Sequence, residues 1–122
     1  MSHRDPTVTD PALYQVLFEN ERVRVLQYRD EPGDRTHAHA HPDSVMVTLN
    51  AFRRRVSAGD RSAEVELRAG EARWLDEQEH TGENIGDTAS HSIFVELKEP
   101  RPASAPHAVA PLGPSGAGPR MN

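Results

Sequence analysis

The tightest constraint on this chain is a run of alternating histidines set between a turn and a strand-forming stretch. Residues 32–48 read PGDRTHAHAHPDSVMVT. His37, His39 and His41 are separated by single alanines, and strand side chains alternate between two faces. An extended backbone here would therefore carry all three imidazoles on one face. Pro32-Gly33 supplies a turn before them, and the largely β-branched residues 45–48 favour a strand after them. Imidazole is the commonest protein ligand for zinc, iron, copper and nickel. One strand offers two such ligands but cannot close a site alone. The candidate for the third is His80, in EQEHTGENIG.

The rest of the chain has the punctuation of an all-β domain. Residues 13–18 and 23–28 form two short strand-like runs around a turn at Glu19-Asn20. Val23, Val25 and Tyr28 are expected in the core, with Arg22 and Arg24 outward. Gly59-Asp60 reads as a hairpin turn between residues 52–57 and 62–67, in which Val65 and Leu67 alternate with Glu64 and Glu66. Gly70 opens another turn, after which Trp74 anchors a short strand. A last strand at residues 91–97 carries Ile93, Val95 and Leu97 on one face. No helix-length amphipathic pattern occurs. Many short strands between turns point to a sandwich or barrel.

At 122 residues the chain fits one domain. Residues 1–11 are expected as a flexible arm, 12–99 as the barrel, and 100–122 as a disordered tail, since RPASAPHAVAPLGPSGAGPR offers little apolar surface to bury. A net charge of −5 argues against a nucleic-acid surface. With no cysteine, a disulfide framework and thiolate chemistry are excluded. Neither a bilayer-spanning apolar run nor a secretory leader is visible, so the expected location is cytoplasmic, without membrane partners.

The histidine pattern resembles the cupin family, specifically its small single-domain members. Their first motif is a glycine, five residues, His-x-His, a short spacer and usually a glutamate; Gly33 and His39-Ala40-His41 match that spacing. Their second motif matches Gly70, His80 and Asn84, with Asp76 and Gln78 standing where a proline and a second glycine are usual. The resemblance spans residues 13–98 and implies a double-stranded β-helix, or jelly-roll barrel. One departure matters for chemistry. The glutamate would fall at Val45 or Met46, so the implied ligand set is His39, His41 and His80 without a carboxylate.

By resemblance, such three-histidine sites hold iron(II) in dioxygenases that cleave β-diketones or oxidise thiols, while zinc, nickel and manganese occur elsewhere in the family. The expected activity is dioxygenation of a small chelatable, β-diketone-like substrate. The alternatives are a non-catalytic sensor or storage module, or a zinc- or nickel-dependent isomerase. His37, Asp43, Arg54 and Trp74 are candidates for a place behind the ligands or beside a substrate, with an exposed histidine as the other reading of His37 and exposed charge as the other reading of Arg53, Arg54 and Arg55. Arg54 could enter the cavity and meet a carboxylate or enolate. His41-Pro42-Asp43 with His80 also spells the facial triad of oxoglutarate-dependent oxygenases. Pro42 tends to end a strand there, and Ser90-His91 stands where those enzymes place an arginine. Glu83 could act as a base only if it turned inward. A homodimer is implied by the family.

Overall fold

The alternation of polar and β-branched residues between turns resolves into one helical turn and nine strands among the described residues, which in this computed structural model are 4–100 and 112–114. Helix α1 is Pro6–Thr9. The strands are β1 Tyr14–Glu19, β2 Val23–Asp30, β3 His39–His41, β4 Ser44–Thr48, β5 Phe52–Ala58, β6 Arg61–Leu67, β7 Ala72–Leu75, β8 Gln78–Asn84 and β9 Ser90–Leu97. They form two antiparallel sheets, ordered β1-β2-β9-β4-β7 and β3-β8-β5-β6. The expected hairpin joins β5 to β6 through Gly59, whose φ of 62° lies where other residues are strained.

The core lies between the sheets. Tyr14, Leu26, Tyr28, Met46, Leu75 and Phe94 from the larger sheet pack with Phe52 and Leu67 from the smaller. Yet the interior is not mainly apolar. Thirteen buried polar or charged residues accompany nine buried hydrophobic ones among the described residues, so hydropathy alone cannot say which face of a strand points in.

That inversion corrects two expectations. In β2 the buried residues are Arg24, Leu26, Tyr28 and Asp30, while Val23 and Val25 face the other way. In β9 they are Ser90, Ser92, Phe94 and Glu96, not Ile93, Val95 and Leu97. Arg24 can point inward because Glu96 is opposite it in the ladder and pairs with it at 2.8 Å. The displaced aliphatics cover the outer face. Phe18, Val25, Val95, Val45 and Trp74 are cross-strand neighbours in one row across all five strands. Trp74 is therefore no core anchor: it sits on edge strand β7, 37% exposed, and its indole N–H donates to Asp76.

The segment expected as a flexible N-terminal arm is tied down over its described part. Asp5 caps α1 by accepting from the Thr7 N–H at 2.8 Å, and its other oxygen pairs with Arg24 at 2.9 Å. The Arg4 carbonyl accepts from Ala40 N–H beside β3. Of the tail, residues 101–111 and 115–122 lie outside the described residues. Leu112, Gly113 and Pro114 are described, and Gly113 is buried against Val56 and Val65.

Candidate metal centre

Strand pairing assembles the histidines. His39 and His41 lie on the same face of β3, and His39 is directly opposite His80 of β8. All three are buried, with ligand atoms within 4.8 Å of one another. Ring centroids stand 4.7 Å apart for His39–His41, 5.0 Å for His39–His80 and 5.2 Å for His41–His80. Nitrogens bound to a metal at about 2.1 Å sit roughly 3–3.6 Å apart, so closing on an ion asks for a shift on the order of 1 Å.

His37 does not join them. Strand β3 begins only at His39, so the alternation expected from the sequence stops there. The His37 side chain is 80% exposed, and both its backbone N–H and its ring nitrogen face the Asp10 carboxylate.

Hydrogen bonds fix which ring nitrogens are free. His39 Nδ1 lies 2.8 Å from the His37 carbonyl oxygen, which can only accept, so Nδ1 carries the proton. His80 Nδ1 lies 2.7 Å from Gln78 Oε1, an atom that also accepts the Gly113 N–H at 2.7 Å and must therefore be the oxygen. In both rings Nε2 keeps its lone pair. Burial holds His39 below the usual pKa and His41 and His80 well below it; for the latter two, the neighbouring imidazoles push the same way. The rings are uncharged at neutral pH, which is the form that binds metal. The residues present fit a divalent ion.

The cavity in front of them is about 50 Å³, enough for a few water-sized groups. Met46, Leu75 and Phe94 make apolar walls, with Phe94 stacked on His41 at 5.2 Å and 15°. Met46, at one of the two candidate glutamate positions, faces inward, whereas Val45 lies on the outer face. Gly113 and Pro114 also line it. Arg54 does enter the cavity wall, but its guanidinium is committed: Nη1 pairs with Asp30 at 2.5 Å and with Ser90 Oγ at 3.2 Å, and the group lies 4.9 Å above the Tyr28 ring. It packs so closely on Gly82 that a Cβ there would come within 2.6 Å of Nη2, which is why glycine follows Thr81.

Asp43 accepts the Glu77 N–H and belongs to no ligand cluster among the described residues, which leaves the facial-triad arrangement without its acid. Glu83 pairs with Arg55 on the exposed side of β8. Asn84 is buried and donates to Asp30, a structural task. Two residues escaped the sequence reading. The buried Tyr14 hydroxyl is 3.4 Å from His39 Nε2, on the ligand side, and burial raises its pKa so that the phenol keeps its proton. Glu96 stands behind His41 at 3.6 Å. Its only sequence signal was its parity with Ser90, Ser92 and Phe94.

No family model matches the sequence, and no curated protein does. Solved structures do match. A cupin domain from Bordetella pertussis Tohama I is similar with a TM-score of 0.67 and 29% identity, over 71% of this chain and 93% of that one. A double-stranded β-helix domain protein from Klebsiella pneumoniae gives a TM-score of 0.58 at 18% identity, covering 82% of each chain. A polyketide cyclase from Streptomyces resistomycificus gives 0.55 at 17%, over 73% of this chain and 66% of that one. The fold is the cupin double-stranded β-helix, and its three-histidine cluster is compatible with metal binding.

Proposed function

We propose that this cupin barrel holds one divalent metal ion, iron(II) in preference to zinc, nickel or manganese, through His39, His41 and His80, and acts as a dioxygenase on a small chelating substrate of β-diketone type. One observation carries the reading: three buried, uncharged imidazoles converge on a cavity with no carboxylate among them. Neutral ligands leave the ion's charge uncompensated, which favours an anionic, bidentate ligand over a neutral one. When bound, iron(II) supplies Lewis acidity and redox chemistry toward dioxygen.

The chain's own residues supply the rest. Met46, Leu75 and Phe94 exclude water. The small cavity favours a compact ligand beside the histidines. Tyr14 holds its phenolic proton beside His39 and can donate it to a ligand oxygen arriving there.

Oxygen-electrode traces across a panel of diketones and thiols, with each metal in turn, test this. The iron-loaded protein should consume dioxygen in proportion to diketone lost. The zinc-loaded protein should bind the same ligand without uptake, since zinc has no redox chemistry. Ligand binding with no uptake by any iron-loaded sample would instead favour a sensor or storage module.

The chain is further proposed to form a homodimer by stacking the outer faces of two larger sheets. Supporting this are the five-residue apolar row, with Phe18 54% and Trp74 37% exposed, and the residues Ile93 and Val47 paired beside it. Light scattering on Val95→Glu should show a monomer where the parent shows a dimer; two monomers would sink the idea.

A further inference from the structure

Among the described residues, two buried atoms behind the histidines lack hydrogen-bond partners, and they face each other. His41 Nδ1 and Glu96 Oε2 stand 3.6 Å apart, and neither makes a hydrogen bond. The residues are 2% and 3% exposed, so water does not serve them freely. Buried polar atoms left unpaired are costly and uncommon, and a native structure that keeps two in opposition calls for a reason. The other two site histidines show what is missing. Nδ1 of His39 has a backbone carbonyl at 2.8 Å and Nδ1 of His80 an amide oxygen at 2.7 Å. His41 alone has its acceptor just out of reach, and that acceptor is a carboxylate.

The carboxylate is not free to turn away. Its Oε1 accepts from Arg24 Nε at 2.9 Å and Nη2 at 2.8 Å, and Arg24 is anchored in turn by Asp5. With Oε1 held, Oε2 remains directed at His41. The two residues come from different sheets, Glu96 from β9 and His41 from β3, so a bond between them would span the barrel.

We propose that Glu96 is the positioning residue of His41, accepting a hydrogen bond from its Nδ1–H when the ring turns onto an ion and so fixing the tautomer whose Nε2 faces the cavity. This rests on the metal-binding reading above. Closing 3.6 Å to the roughly 2.7–2.9 Å of a charge-assisted hydrogen bond is a shift of the same size as the ligand set needs to contract. A carboxylate behind an imidazole also raises its basicity as a ligand. Some negative charge thereby returns to a site whose direct ligands are all neutral, without occupying a coordination position. A carboxylate present only to neutralise Arg24 would have no need of this aim.

Glu96→Gln separates these roles. The glutamine carbonyl can keep Arg24, but the amide N–H₂ then faces His41 Nδ1 and forces the ring proton onto Nε2. Zinc affinity, measured by competition with a chromophoric chelator, should fall about 10–100-fold, whereas the exposed Glu64→Gln, which changes charge equally, should leave it unchanged. Glu96→Asp keeps a partner for Arg24 but withdraws Oε2 by one methylene; it too should bind zinc more weakly, and it serves if the glutamine variant does not fold.

Nitrogen-15 NMR of the metal-free protein gives the second readout. His41 should carry its proton on Nδ1 in the parent and on Nε2 in Glu96→Gln. Unchanged zinc affinity in both variants, or an Nε2–H tautomer of His41 in the parent, would overturn the proposal. If the parent binds no zinc, the metal reading fails on its own, and the tautomer comparison still decides whether Glu96 positions His41.

Discussion

Two polar clusters share the interior of this barrel, and they are finished to different degrees. Around Asp30 every oxygen is used. Its carboxylate accepts from the Tyr28 hydroxyl, from Arg54 at 2.5 Å, from Asn84 Nδ2 at 3.0 Å and from the Ser90 N–H at 3.1 Å. Asn84 goes on to donate to the Thr88 carbonyl and to accept from the Gly86 N–H. This cluster ties β2, β5, β8 and β9 to one another. Burial alone would raise the Asp30 pKa, but Arg54, Tyr28 and Asn84 outweigh it and hold the group below its usual value. The histidine cluster is open by contrast. Among the described residues, His41 Nδ1, Glu96 Oε2 and, on the cavity wall, Ser92 Oγ make no hydrogen bond, and the lone pairs of His39 and His80 point to the ligand side. Saturated polar groups hold a fold together; unsaturated ones at equal depth are held ready for something else.

The contrast can be broken most severely at Asp30. Asp30→Ala leaves Arg54 buried without its counter-charge and should cost on the order of 3–5 kcal/mol. Denaturant midpoints with and without metal should fall by the same amount. A loss confined to the metal-loaded protein would mean that the two clusters are one.

The converse holds at the three histidines. His39→Ala and His80→Ala should abolish the metal-dependent rise in stability, which for a one-site ion at 100 times its Kd is about 2.7 kcal/mol, while the metal-free variants stay folded. His37→Ala, exposed and bonded to Asp10, should keep that rise. Thermal scans against metal concentration measure both.

Acid should act on the open cluster before the closed one. The folded-state pKa values of His41 and His80 lie well below 6.5, chiefly through burial. As pH falls below about 6.5, the unfolded chain takes up protons at these rings that the folded chain refuses, so stability of the metal-free protein declines; above that pH both states are neutral and the effect vanishes. A replacement of both rings by glutamine should flatten the slope. An unchanged slope would locate the titration elsewhere.

The smallest effect is expected at the tail. Deleting residues 101–122 removes the Gly113 contacts with Val56 and Val65, yet should move Tm by less than about 5 °C, equivalent to about 1 kcal/mol in a domain of this size. A larger drop would make the tail part of the barrel's packing.

How much of this was legible follows from where the information sits. His39, His41 and His80 could be read because a two-residue spacing and a distant motif are local patterns, and strand pairing did the rest. The turn at Gly59 was legible for the same reason. The faces of β2 and β9 were not. Hydropathy sends Val23, Val25, Ile93 and Val95 inward, but the barrel encloses a site, and its interior is bought with pairs such as Arg24–Glu96, 72 positions apart. No window along the chain contains both partners. His37 is decided by a different kind of information. Its parity was right for an extended strand, but the strand is three residues long and Asp10 captures what precedes it.

Gln78 has a consequence reaching beyond its strand. Its single carbonyl oxygen accepts one hydrogen bond from His80 Nδ1–H and another from the Gly113 N–H. Two lone pairs on one atom thus join an imidazole of the cluster to a residue 33 positions further along the chain. Coupling of this kind is reciprocal: if an ion turns His80, it changes how firmly residue 113 is held, and whatever draws residue 113 away changes the ion's affinity by the same factor. The Gly113 amide resonance should therefore report occupancy of the site without any probe being placed in it.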